Sequence, residues 1–159
     1  NKEQMKKINL KLIAKSVVDD FNNIYEAKRG IKIILSDFKN LEEYNIYGIE
    51  NRIEQIIANL LDNSISFSED KKDIIVQLNK DNDKNIILKV IDEGQGFKEK
   101  NTDKVFKRFY SNRPEKFGEH SGLGLNIVKN LVDLHGGSIK ASNNPNQKGA
   151  NVEIIFPES

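Results

Sequence analysis

The stretch "VIDEGQGF", residues 90–97, runs an apolar strand pattern into Asp92, then Gly94 and Gly96. A plain turn needs one glycine at most. Two glycines beside a carboxylate suit a backbone that a ligand approaches closely. An acid at a strand end can accept a hydrogen bond from an exocyclic amine such as that of adenine. A second cluster, "HSGLGLNIVKNL" at 120–131, puts Gly122 and Gly124 where a loop becomes a helix. Free N–H groups at a helix start attract anions, and glycine lets a phosphate come near. A glycine loop that merely turns the chain fits the same residues equally well. Asn59 and Asn63 make a third pair, four residues apart and stacked on one helix face at the rim of its apolar stripe. Amide oxygens suit Mg²⁺, a hard ion that shares its ligands with phosphates and water. Ordinary boundary polarity is the alternative reading of that pair. Residues 98–116 hold seven Lys or Arg against three Asp or Glu, so a basic loop lies between the clusters, part of it simply solvated charge.

These groups need elements to position them. Val17, Val18, Phe21, Ile24 and Tyr25 recur at helical spacing, and Lys28, Arg29 and Gly30 form a helix stop. "IKIILS" and "YNIYGI" read as strands. Over residues 50–66, Ile53, Ile56, Ile57, Leu60, Leu61 and Ser64 fall on one face of a helix. Residues 74–78 and 85–91 read as an antiparallel hairpin around "DNDK". Residues 98–120 lack a sustained period and are long for a loop, as a lid or binding loop would be. Residues 124–135 form another amphipathic helix, and "SIKAS" and "NVEIIFP" close the chain as strands. An antiparallel hairpin in the middle argues against a fully parallel, doubly wound sheet.

Composition sets further bounds. The 159 residues suit one domain. Without cysteine there is no disulfide, thiolate metal site or thiol nucleophile. A net charge of +1 and the lack of a basic stripe with interleaved aromatics speak against a nucleic-acid module. The run "IIANLL" is far too short to span a bilayer. The chain begins at Asn1, so a piece of a longer protein is expected. No glycine precedes a lysine as the P-loop requires, neither glycine pair has the third glycine of the dinucleotide fingerprint, and "HRD" and "DFG" are missing.

The order "NRIEQIIANLLDNSISFS", "VIDEGQGF", "VFKRFYSNRPEKFG", "HSGLGLNIVKNLVDLHGGSI" resembles the N box, first glycine box, phenylalanine box and second glycine box of sensor histidine kinases. The likeness covers residues 50–140; residues 8–50 and 140–157 are similar in layout only. Each box alone is a weak or moderate signal, but four in this order are specific. The family sits in a wider group with gyrase B and MutL. The resemblance implies a Bergerat-type ATP-binding fold: an α+β two-layer sandwich, with a mixed, mostly antiparallel sheet of about five strands and three main helices on one face. It implies a domain over 9–159 with an ATP lid at about 98–120, residues 1–8 being the end of a preceding dimerisation helix or linker.

By the same resemblance, Asp92 accepts the adenine amino group, and Gly94 and Gly96 let the chain bend under the base. Asn63 coordinates Mg²⁺ with Asn59 beside the phosphates, and Phe67 packs against the nucleotide. Gly122, Leu123, Gly124 and Leu125 wrap the phosphates, while Phe106 and Phe109 anchor the lid. Two positions depart from the family pattern, since Ser66 and Ser111 stand where many members carry a base. Arg108, Arg113 and Lys116 are left to neutralise the triphosphate. The serines, with "RPE" and "HSGLGL", are similar to the ChvG-type subgroup.

The family's phosphoacceptor is a histidine followed by an acid. Neither His120 nor His135 is followed by one, and His135 falls on an apolar helix face as a core histidine would. The expectation is therefore a chain that binds Mg–ATP and does not phosphorylate itself. Its implied partners are a dimerisation domain bearing the histidine and the receiver domain of a response regulator. The resemblance further implies a monomer for this chain alone, a homodimeric parent kinase, and a place in the cytoplasmic part of a bacterial inner-membrane sensor. A hydrolase of the same group would carry Glu one turn before the metal-binding Asn, where this chain has Asn59. An anti-sigma-factor-like serine kinase, or a module that no longer binds nucleotide, is the other rival.

Overall fold

The computed structural model describes residues 4–40, 43–98, 102–107, 124–145 and 148–158. In chain order these form β1 (Lys6–Asn9), α1 (Leu10–Arg29), β2 (Ile33–Asp37), β3 (Asn45–Gly48), α2 (Glu50–Phe67), β4 (Ile74–Lys80) and β5 (Ile86–Ile91). A 3₁₀ turn (Thr102–Phe106), α3 (Gly124–Leu134), β6 (Ser138–Asn143) and β7 (Ala150–Phe156) follow.

Five strands join in the order β2-β4-β5-β7-β6. β2 runs parallel to β4, and every other pairing is antiparallel. Alternation sorts the residues. Ile74, Val76 and Leu78, Ile86, Leu88 and Val90, and Val152, Ile154 and Phe156 are buried toward the helices. Their neighbours face the other way, where Lys89 pairs in register with Glu153 and lies 3.7 Å from its carboxylate. The expected two-layer α+β sandwich, with a mixed, mostly antiparallel five-stranded sheet and three helices, is the fold observed.

The helices bury the stripes that their spacing dictates. α1 starts where the Asn9 side chain accepts the Lys11 N–H at 3.1 Å, a cap worth about 1 kcal/mol. It ends at Gly30, whose φ of 67° is left-handed and whose N–H returns to the Glu26 carbonyl. α2 buries Ile53, Ile56, Ile57, Leu60 and Leu61 in the main core.

The N-terminal segment takes part in the fold. Residues 6–8, read as belonging to a preceding helix or linker, are extended, and β1 pairs antiparallel with β3 in a separate two-stranded sheet. β3 therefore does not join the main sheet. The cause is a long-range pairing that local spacing does not encode: Lys6 meets Gly48 and Asn9 meets Asn45.

Asp37, at the end of β2, ties the β2–β3 connection to α1. Lys11 Nζ lies 2.8 Å from its Oδ2, the fully buried Tyr44 donates its hydroxyl to Oδ1, and the Asn40 N–H donates at 2.8 Å. Burial pushes the Asp37 carboxyl up, but the hydrogen bonds from Lys11 and Tyr44, the Lys11 charge and the Asn40 N–H outweigh it. The group is held below its ordinary value. A carboxylate with a lowered folded-state pKa contributes stability above its unfolded value of about 4, and that contribution is lost as pH falls through the lowered value. Urea midpoints are accordingly expected to drop more steeply below about pH 4 in the parent chain than in Asp37→Asn. Parallel pH profiles of the two proteins would show Asp37 to be uninvolved.

Candidate nucleotide site

Asp92 follows the last residue of β5 and is 1% exposed. Its Oδ1 accepts the Gly94 N–H at 2.9 Å and the Ala150 N–H at 3.1 Å. Its own N–H donates to the Ala150 carbonyl at 3.0 Å, so its backbone still pairs with β7. Two backbone donors on one oxygen set the rotation of the carboxylate and compensate its burial.

The glycines after it are required by the protein's own atoms. A Cβ on Gly94 would collide with the Phe67 carbonyl oxygen at the end of α2. Gly96 has φ 78°, and a Cβ there would stand 2.5 Å from Asn143 Oδ1. The sequence suggested a ligand close to "DEGQG"; what the structure places close to these glycines is the protein's own backbone and side chains, from α2 and from Asn143.

That connection supplies residues the sequence did not single out. Asn143 accepts the Phe97 N–H at 2.6 Å and donates to the Phe97 carbonyl at 3.0 Å. Asn144 donates to the Asp92 carbonyl at 2.9 Å. Gly149 has φ 116°, and any Cβ on it would run into that same carbonyl. In the sequence "SNNPNQKG" looks like turn chemistry and nothing more. Only the adjacency of Asn143 to Gly96 in space reveals the contact.

α2 brings the amides. Asn59 is half-buried, whereas Asn63 is 3% exposed rather than at a rim. Asn63 Oδ1 has no hydrogen-bond partner among the described residues. An unpaired buried carbonyl is costly, and native proteins keep such atoms where something else uses them. A neutral oxygen of this kind fits a hard cation such as Mg²⁺. Phe67 is buried at 2% yet lies outside the contiguous main core. The C-terminus of α2 has no basic residue of its own and borrows one from α1: Arg29 donates to the Ile65 and Ser68 carbonyls at 2.8 and 2.7 Å, and to Asp70 at 2.7 Å. Ser66, which stands where a base was missed, turns its hydroxyl back to the Asp62 carbonyl.

α3 starts at Gly124, and among the described residues nothing lies within 4 Å of where its Cβ would be. Among the described residues no packing contact demands this glycine, unlike Gly94. Leu125 is a core residue. The 3₁₀ turn buries Val105 and Phe106, with Thr102 donating to the Ala141 carbonyl and Asn126 to the Phe106 carbonyl. Part of the stretch read as a lid is thus packed on the body. Arg108, Phe109, Ser111, Arg113, Lys116, His120, Gly122 and Leu123 lie outside the described residues. His135 is a satisfied core histidine: Nδ1 meets the Leu131 carbonyl at 2.7 Å, and Nε2 accepts the Ile49 N–H at 3.1 Å.

A mixed sheet with helices on one face, and a carboxylate held at a central strand end beside the C-terminus of α2, define the class of Bergerat-type ATP-binding domains. Residues 48–159 match the family described as histidine kinase-, DNA gyrase B-, and HSP90-like ATPase, and the chain belongs to that family. It is 37% identical over 142 residues to the sensor protein ChvG of Agrobacterium fabrum, covering 86% of this chain and 24% of that protein. The fold is that of the catalytic domain of the histidine kinase ThkA, with TM-score 0.82, 22% identity and 98% of each chain covered. ThkA has also been solved in complex with the response regulator protein TrrA. Full-length ShkA, solved with AMPPNP, matches with TM-score 0.80 and 20% identity over 99% of this chain and 32% of that one. The chain spans about a quarter of the length of ChvG. Among the described residues no helix is long and apolar enough to cross a membrane.

Proposed function

We propose that this domain holds Mg–ATP and presents the γ-phosphate to a histidine on a separate dimerisation domain of the same kinase. The observation that carries the reading is the Asp92 carboxylate, buried and rotationally set by two backbone N–H groups. In this reading it accepts the adenine amine, while Phe67 packs near the base and Asn59 lies beside the phosphates. Asn63, through its unpartnered oxygen, would hold Mg²⁺, which supplies charge neutralisation along the triphosphate. The N-terminus of α3 at Gly124, with Gly122, Leu123 and Leu125, receives phosphate, and Arg108 and Arg113 neutralise it.

Phosphoryl transfer asks little covalent help of a protein; positioning and charge do most of the work. The histidine nitrogen forms a bond to the γ-phosphorus as the bond to the bridging oxygen breaks, and ADP leaves. The phosphoryl group then passes to an aspartate on a response regulator receiver domain. The parent kinase is a homodimer, with this domain in the cytoplasmic part of a bacterial inner-membrane sensor. Asn59 replaces the glutamate that a hydrolase would use to orient water, which favours transfer over hydrolysis.

Titration calorimetry of the chain with ATP and GTP, with and without Mg²⁺, tests this. The expected result is tighter binding of ATP, strengthened by Mg²⁺, with no turnover until histidine-bearing helices are added. Equal affinity for the two bases, or no binding at millimolar ATP, would overturn it.

A further inference from the structure

We propose that Asn143 and Asn144, at the β6–β7 connection, are positioning residues that aim the Asp92 carboxylate at the base. The proposal rests on the nucleotide reading of Asp92 given above.

The segment from Asp92 to Phe97 leaves β5 and forms no regular structure, so its backbone groups need partners from elsewhere. Two consecutive side chains supply them at both ends. At the far end, Asn143 uses its oxygen on the Phe97 N–H and its NH₂ on the Phe97 carbonyl. An amide satisfying both groups of one residue copies the pairing of a neighbouring strand and sets the orientation of that peptide. At the near end, Asn144 holds the Asp92 carbonyl, while its NH₂ also reaches the Lys148 carbonyl at 3.0 Å. Its own N–H closes the hairpin on the Gly149 carbonyl at 2.9 Å. The next residue, Ala150, donates its N–H to Asp92 Oδ1.

The connection therefore grips the main chain of Asp92, its carboxylate and the peptide five residues later. Gly94 and Gly96 flex easily, and between two held ends they have little freedom left. If Phe97 is released, the Gly94 N–H that orients Oδ1 is no longer fixed in place. Asparagine suits the role because its amide offers an acceptor oxygen and two N–H donors on a short side chain; Asn143 uses the oxygen and a donor, and Asn144 directs its NH₂ to two carbonyls. Neither residue needs to touch the ligand.

The test compares binding of ATP and purine riboside triphosphate, which lacks the exocyclic amine, by the whole chain, Asn143→Ala, Asn144→Ala and Asp92→Asn. In the parent chain the ratio of the two affinities reports the carboxylate–amine bond. Asn143→Ala is expected to lower that ratio by about tenfold, in line with the loss of one charge-assisted hydrogen bond. Asn144→Ala, which leaves Phe97 held, is expected to lower it in the same direction by less. In an Asp92→Asn background, Asn143→Ala should change the ratio little, because the two act through one interaction. Thermal melts identify a variant that fails to fold, and Asn144→Ala then carries the test. A parent chain that does not discriminate between the ligands refutes the base-reading role of Asp92. A parent chain that discriminates, with folded asparagine variants that discriminate equally well, refutes the positioning role alone. An equal loss of both affinities with an unchanged ratio refutes it too, and leaves the asparagines as purely structural.

Discussion

Asp92→Asn is expected to weaken ATP binding ten- to a hundredfold, about 1.5–3 kcal/mol, while leaving the fold nearly unchanged. The size follows from the geometry around the carboxylate. The Gly94 and Ala150 N–H groups both donate to Oδ1. An asparagine would keep its oxygen there, since its NH₂ cannot accept those bonds. The NH₂ is then driven into the place of Oδ2, where it sets a donor against the donor amine of adenine. The variant thus loses an attractive charge-assisted bond and gains a repulsive contact in a site shielded from water. GTP affinity, which does not depend on that amine, should change much less. Calorimetric titration of the parent chain and the variant with both nucleotides reads this directly. Unchanged ATP affinity in a folded Asp92→Asn chain would remove Asp92 from base recognition.

Asn63→Ala is expected to abolish the Mg²⁺ enhancement of ATP binding without destabilising the nucleotide-free protein. Ordinarily, truncating a side chain that is 3% exposed would cost stability. Here the side chain carries a buried oxygen without a partner among the described residues, and such an oxygen costs about 1–3 kcal/mol. Removing that oxygen offsets the lost packing. The melting temperature without nucleotide should stay level or rise by a few degrees, given roughly 2–4 °C per kcal/mol for a chain near this size. Function and stability therefore move apart, as they do when a residue is kept for a ligand rather than for the fold. Melts without nucleotide, followed by titrations with and without Mg²⁺, separate the two effects. A surviving Mg²⁺ enhancement would show that the ion is held elsewhere.

Much of the fold was legible because it is local. The period of Ile53, Ile56, Ile57, Leu60 and Leu61 specifies both α2 and its inward face, and all five are in the core. The hairpin of β4 and β5 followed from two β-rich runs on either side of a polar turn, and the strands do pair antiparallel, from Ile75–Ile91 to Lys80–Ile86. The candidate site residues could be nominated from the sequence for a related reason. Glycine, asparagine and aspartate have few roles, and their spacing relative to strand ends and helix starts limits those roles further.

What the sequence alone determined is the three helices, the strands of the main sheet and their buried faces, together with the candidate residues Asp92, Gly94, Gly96, Asn59 and Asn63. Tertiary structure alone decided which distant residues hold those groups in place. β1 pairs with β3 across some forty residues. Arg29 of α1 caps the end of α2. Asn143 and Asn144 grip the two ends of the segment that starts at Asp92. Each partnership is made of hydrogen bonds between residues far apart in the chain. Such contacts leave no periodicity, because periodicity records which face of an element is buried, whereas a hydrogen bond depends on where two chain segments end up after the core has packed.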